Sequence, residues 1–334
     1  MAVTISPGSA ARVDLTGAMY GFMTRNSNQF AGCTILPGFQ TPVRDYRFMR
    51  IPASELTRRE KTKRAAGADT SRSNHKRVEV AGSIAEYAHE ELVDPSNTTG
   101  YVTTATQETV AAERALGIAM RDLEGDLATA LFNTTTWPLS GSTGHTASVV
   151  WSTSATADPL LDIHLGVDAI ATKTGMIANT LVITGRGLRH ASRTAQLVNR
   201  IAYTNPAVNS GQLPSSTLAQ LFGVDRVVVV DGIYNNVAEG GTDAFTRLWD
   251  ANYAFLCVTN PGPDIEMPQL GRLMQWDYDP SPGTDSVRTE NVDGVDVFIE
   301  EYSEPRKASK VIRARKFASP QICDTNCGYL IKIT

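Results

Sequence analysis

Cysteine is scarce in this 334-residue chain: only Cys33, Cys257, Cys323 and Cys327 are present. Four scattered thiols cannot staple a chain of this length, so a disulfide scaffold is excluded and reduced thiols are expected. Cys323 and Cys327 form a C-x3-C pair, but no histidine or second cysteine pair lies near them to complete four tetrahedral zinc ligands. No metal or cofactor is expected. Long apolar runs are missing too. The most apolar stretch, Val227 to Val230, has strand length, far short of the roughly 20 residues of a membrane-spanning helix. Residues Met1 to Pro7 have neither a basic n-region nor an apolar h-region, so a cleaved secretory signal is not expected and the chain should be made in a cytoplasm. Nor does one sign of charge dominate: 31 basic and 35 acidic side chains leave a formal −4, which excludes a globally basic nucleic-acid binder and an acidic tail protein.

Catalytic signatures are equally sparse. Walker A, G-x-S-x-G and EF-hand patterns are absent, and His89-Glu90 lacks the second histidine of a zincin helix. His75, His89, His145, His164 and His190 do not cluster in sequence and read as surface or capping residues. Gly185-Arg-Gly187 follows a strand-like run and opens a helix. The third glycine of a dinucleotide fingerprint is His190 here, and the ribose-binding acid would fall on Asn205, so a helix N-terminus and tight turn explain it better. Asp158 and Asp162 sit one turn apart at a helix start, where the dipole favours negative charge. No enzyme is expected.

What is present is an organisation. The composition, 42% hydrophobic, suits a globular core, and the length suits about two domains or one large interrupted one. Residues 1–45 show no sustained period of 2 or 3.6 and read as an extended arm that needs a partner surface. Strand-like runs at Tyr46 to Pro52 and Arg77 to Ile84 flank a segment with eight basic residues, Arg58, Arg59, Lys61, Lys63, Arg64, Arg72, Lys76 and Arg77, against only Glu60 and Asp69. That segment has a local charge of +6, leaving −10 on the rest of the chain. It has no aromatic residue on which bases could stack, so it reads either as a solvated loop or as a hook for a neighbour's acidic surface.

Next comes the clearest element. Thr104 to Gln107 matches a capping box, and Ala112, Leu116, Met120, Leu123, Leu127 and Leu131 recur at spacings of 3 and 4. The spacing predicts one helix from about Thr104 to Phe132, roughly 43 Å long, of the kind that serves as a spine for a sheet. Residues 133–157 read as loop with a short strand at Val149 to Trp151. Asp158 as N-cap and Pro159 then open a helix whose apolar face is expected at Leu161, Leu165, Ile170 and Ile177. A buried strand at Asn179 to Thr184, one amphipathic helix from Arg186 to Ile201, a short helix from Ser215 to Phe222 stopped by Gly223, and a strand from Asp225 to Asp231 follow. The last third is strand-rich, at Tyr253 to Thr259, Leu273 to Tyr278, Val295 to Tyr302 and Lys307 to Phe317. There Glu300, Glu301 and Glu304 are expected to pair across strands with the basic residues of 306–316. The class is α+β, without repeated βαβ units.

In this order of elements the chain resembles the major capsid proteins of tailed bacteriophages with the Hong Kong 97-type fold. Local wording carries the same resemblance. Asn179 to Thr184 with Gly187-Leu-Arg-His-Ala191 and Leu197 to Tyr203 looks like the strand and helix entering that family's axial domain. Leu221 to Val230 looks like the next helix-to-strand step and Gly328 to Ile331 like the closing strand. The resemblance implies an N-terminal arm at 1–45, an extended β-hairpin loop at 46–86, a peripheral domain at 87–184 and 265–334, and an inserted axial domain at 185–264. It further implies a structural protein that self-assembles through pentamers and hexamers into an icosahedral shell around double-stranded DNA, without sequence-specific binding. A separate scaffold protein, a portal and decoration proteins are the implied partners; the virion is the implied location, with assembly in the host cytoplasm. The eight basic loop residues are the implied contacts between subunits. Some members of the family crosslink a loop lysine, and Lys61 and Lys63 lie in the corresponding loop, though no partner pair can be identified. An encapsulin-like compartment and a soluble enzyme with a site assembled from distant residues are the alternatives.

Overall fold

Beginning at its N-terminal end, the computed structural model has β1 (Ala10–Ala11), α1 (Val13–Arg25), a 3-10 turn (Ala31–Thr34), β2 (Gly38–Thr41), β3 (Asp45–Arg50), α2 (Ala53–Leu56), β4 (Val78–Ser83), β5 (Ala85–Val93) and α3 (Thr104–Leu131). Then come β6 (Gly144–Thr146), α4 (Pro159–Thr174), β7 (Thr180–Thr184), α5 (Gly185–Ser192), α6 (Ala195–Thr204), α7 (Ser215–Phe222) and β8 (Arg226–Val230). The chain closes with β9 (Ile233–Asn235), β10 (Phe245–Arg247), β11 (Tyr253–Cys257), β12 (Gly271–Trp276), β13 (Phe298–Glu304), β14 (Ser309–Ile322) and β15 (Gly328–Lys332). The structure describes residues 10–11, 13–94, 96, 104–204, 215–237, 240–260, 262–277 and 297–334.

The spine helix α3 has 28 residues, about 42 Å, and the six stripe residues from Ala112 to Leu131 are all buried. It lies against β5 and β14 of a six-stranded sheet of order β1-β13-β14-β12-β2, with β5 paired to β14. Charges stitch the strands of this sheet together as the sequence pattern predicts. Glu300, buried, sits 3.5 Å from Arg313 and 3.4 Å from Arg315, and these arginines reach Glu90 and Glu86, each at 2.6 Å. Lys310 bridges Glu301 at 3.1 Å and Glu108 on the spine at 2.9 Å.

A second sheet, of order β6-β15-β11-β7-β8, forms the other half. Strand β7 is buried at every position, as its uninterrupted apolar run requires. It runs parallel to β8, and α5, α6 and α7 make the crossover between them. This sheet takes β6, β7 and β15 from the expected peripheral stretches and β8 and β11 from the expected axial stretch, so the two divisions share one sheet.

Several local expectations are corrected. Residues 13–25 are helical, and Leu15, Met19, Ile35 and Leu36 are buried. The described part of residues 1–45 is therefore folded onto its own chain rather than extended; Gly17 and Gly21 had masked the helical spacing. Val149 to Trp151 is a turn, and the strand in that region is β6. Helix α4 buries Asp162, Ile163, Gly166, Ile170 and Thr174, leaving Leu161 and Leu165 exposed; Ile177 lies exposed beyond its end. Its rotation has a cause: Asp162 is drawn inward as the acceptor of Trp151 Nε1 at 2.8 Å and partner of His145 Nε2 at 3.1 Å. The single helix expected from Arg186 to Ile201 is two, α5 and α6. They are broken where Thr194 donates its hydroxyl to Ala191 O at 2.8 Å instead of continuing the turn. Gly223, at φ 68°, ends α7 in the left-handed region as expected.

Candidate interaction surface

Strands β3 and β4 pair antiparallel from Asp45 opposite Ser83 to Arg50 opposite Val78, and together they hold the two ends of the basic segment. Their base is fastened to the body. Tyr46, Ile84, Met274, Phe298 and Phe317 form a small core of their own, with Phe39, Phe48, Ile265 and Trp276 packed around it. The Tyr46 hydroxyl donates to Gln321 Oε1 at 2.8 Å, and burial pushes its phenol up to about 12. Arg50 reaches Asp324 at 2.6 Å with both side chains largely out of water, so this pair is weakly screened. Ile51 N–H donates to Glu266 O at 2.9 Å, and Arg77 pairs with the Glu266 carboxylate at 3.4 Å.

Every one of the eight basic residues is exposed. The structure divides them. Arg58 turns back to Glu55 at 3.5 Å and Glu60 at 3.7 Å, Arg77 belongs to the base, and Arg64 bonds Thr70 at 3.3 Å within the loop. Exposed pairs of this kind contribute at most about 1 kcal/mol. Arg59, Lys61, Lys63, Arg72 and Lys76 have no ion-pair partner among the described residues. The arrangement is an anchored stem carrying a solvated cationic tip.

Other polar residues that the sequence did not single out lock the body behind the stem. Glu124, fully buried in the middle of α3, accepts from Gly32 N–H at 2.8 and 3.1 Å and from Trp249 Nε1 at 2.7 Å. One carboxylate thereby joins the N-terminal segment, the spine and the loop before β11. Burial lifts its pKa to about 7, against the opposing pull of those donors and of Lys316. Partners 92 and 125 residues away leave no sequence signal. Burial likewise pushes the thiols of Cys257 and Cys327 up to about 12 and that of Cys323 to about 11, so all three remain protonated and unreactive near neutral pH. Among the described residues no group of three or more His, Cys, Asp or Glu is arranged to hold a metal ion, and no helix is long and apolar enough to cross a membrane.

Over 179 residues, 54% of this chain, the sequence is 28% identical to the major capsid protein of Burkholderia phage BcepMu. The match spans about half the length of that relative, 51%. No protein-family model matches the sequence. The structural likeness is far more extensive. A phage-related protein from Bordetella bronchiseptica has a TM-score of 0.67 at 20% identity, with 97% of each chain covered. The mature capsid of bacteriophage PhiM1 has a TM-score of 0.51 at 13% identity, covering 91% of this chain and 86% of that one. The chain has the Hong Kong 97-type capsid fold. An encapsulin from Synechococcus elongatus shares this capsid fold at a TM-score of 0.50 and 9% identity, covering 93% and 89% of the two chains.

Proposed function

We propose that this protein is a structural shell subunit, a phage major capsid protein that assembles with copies of itself into capsomers and an icosahedral shell around double-stranded DNA. The observation that carries the reading is the stem and tip: an anchored hairpin with five cations that have no ion-pair partner among the described residues. Another copy offers such a loop contacts, and the acidic remainder of the chain supplies complementary charge. Many modest contacts repeated around a closed shell give collective stability that no single pair needs to provide. The role is structural rather than catalytic.

On this reading the arm is residues 1–45, the extended loop 46–86, the peripheral domain 87–184 and 265–334, and the axial domain 185–264, with one sheet shared across the last boundary. The eight basic loop residues are contacts between subunits, with Arg59, Lys61, Lys63, Arg72 and Lys76 reaching furthest. A separate scaffold protein and a portal complete the assembly, which takes place in the host cytoplasm and yields the virion. Reversing Arg58, Arg59, Lys61 and Lys63 to Glu is expected to abolish particles while leaving the circular dichroism of the protomer unchanged; an undiminished particle yield would sink the assignment. The encapsulin likeness supports a second reading, a compartment for cargo protein. The ratio of absorbance at 260 and 280 nm of purified particles separates packaged DNA from packaged protein.

A further inference from the structure

The charge that the extended loop removes from the body is not evenly spread over what remains. From Thr174 to Val224 the sequence has four arginines and one histidine but no lysine and no acidic residue. Three of the arginines, Arg186, Arg189 and Arg193, are exposed on or at the end of α5, and their spacings of 3 and 4 put them on one face of that helix within about 10 Å of rise. The opposite side, with Gly187 and Ala191, is buried. His190 lies within the same group, where burial and then the fields of Arg186, Arg193 and Arg189 hold its imidazole below the usual value.

None of these three arginines has an ion-pair partner among the described residues, unlike Arg313 and Arg315, which are matched to carboxylates on neighbouring strands. The carboxylate at the helix start, Asp231, is already engaged by Gly185 N–H at 3.1 Å and Arg247 at 3.0 Å. Helix stability does not account for the group. Basic residues in the last turn complement the helix dipole, which suits Arg189, but Arg186 stands in the first turn, where a cation is disfavoured. Three like charges on one exposed helix face suit an anionic ligand of repeated charge.

The face also lacks what a protein partner would use. Contact hot spots are enriched in Trp and Tyr as well as Arg and sit in desolvated pockets, whereas these arginines are exposed and no exposed aromatic lies between them. Guanidinium forks alone suffice for phosphate oxygens. We propose that the outer face of α5, through Arg186, Arg189 and Arg193, is a sequence-independent site for the phosphate backbone of double-stranded nucleic acid. This goes beyond the shell reading and is tested separately from it.

The test is fluorescence anisotropy of a labelled duplex of about 30 base pairs titrated with the purified full chain between 50 and 200 mM salt. Three phosphate contacts steepen the dependence of log K on log salt by about 2.7, so the wild type is expected to lose roughly 40-fold more affinity over that range than R186Q/R189Q/R193Q. The Lys variant, R186K/R189K/R193K, is expected to keep the wild-type slope, and R59Q/K61Q/K63Q in the loop to leave it unchanged. If the triple Gln variant does not fold, R189Q alone should reduce the slope by about 0.9. Two duplexes of unrelated sequence should bind equally. An unchanged slope in the α5 variants, loss of binding in the loop variant instead, or unequal duplexes would overturn the proposal. Polyglutamate competing as well as duplex per charge would overturn it too, by assigning the face to an acidic protein surface.

Discussion

Replacing Glu124 by Gln tests the energetic account of the body at its most constrained point. The carboxylate is fully buried, accepts from Gly32 and Trp249, and titrates at about 7 in the folded chain against an ordinary 4.5. Between these two values the folded state holds a proton that the unfolded state has released. Stability from this group is therefore complete below about pH 4.5 and is lost as pH rises through 7. At 1.36 kcal/mol per pH unit, the displacement amounts to roughly 3 kcal/mol. Glutamine keeps the shape but cannot ionise. It also turns an amide N–H2 toward donors, a cost that does not vary with pH. Urea unfolding of wild type and E124Q at intervals from pH 4.5 to 8.5 yields the difference in stability, in which all other titrating groups cancel. Wild type is expected to lose roughly 3 kcal/mol relative to E124Q across that range. Parallel pH profiles would refute the reasoning, because they would mean that the carboxyl titrates as it does in the unfolded chain.

Three further outcomes follow from the same contacts. Gly32→Ala places a Cβ at 2.7 Å from both Glu124 oxygens, so it should destabilise by about 1–3 kcal/mol, read as a lower urea midpoint. Gly166→Ala, whose Cβ would lie 2.6 Å from Leu256 Cδ1 and 2.9 Å from Tyr329, should push α4 away from the second sheet at a similar cost, with faster amide exchange in β15. Arg50→Ala leaves Asp324 buried without its cation; a loss of about 3 kcal/mol is expected, with exchange accelerating in β3 and β4 before it does in α3.

How far the fold could be read in advance depended on how local its causes are. The spine stripe from Ala112 to Leu131, the Asp158-Pro159 helix start, the Gly223 stop and the valine-rich β8 are set by neighbours a few residues away, and they occur where spacing and capping put them. The helix at Val13–Arg25 and the rotation of α4 are set by distant partners, the spine in one case and Trp151 with His145 in the other, so periodicity misplaced them. The same division runs through the candidate surface. A charge run from Arg58 to Arg77 is visible by composition alone. The fastening of its stem through Arg50 to Asp324 and Tyr46 to Gln321, over 274 and 275 residues, exists only in the folded chain. The α5 arginines were hidden for a different reason, since a net charge of −4 averages a cationic face away against acids elsewhere.

Electron microscopy of the purified protein tests the central claim most directly. A shell subunit is expected to give closed particles of uniform diameter that disappear when the loop cations are reversed. A population of monomers or small oligomers under every condition of concentration and salt, in wild type as in the reversed variant, would contradict it.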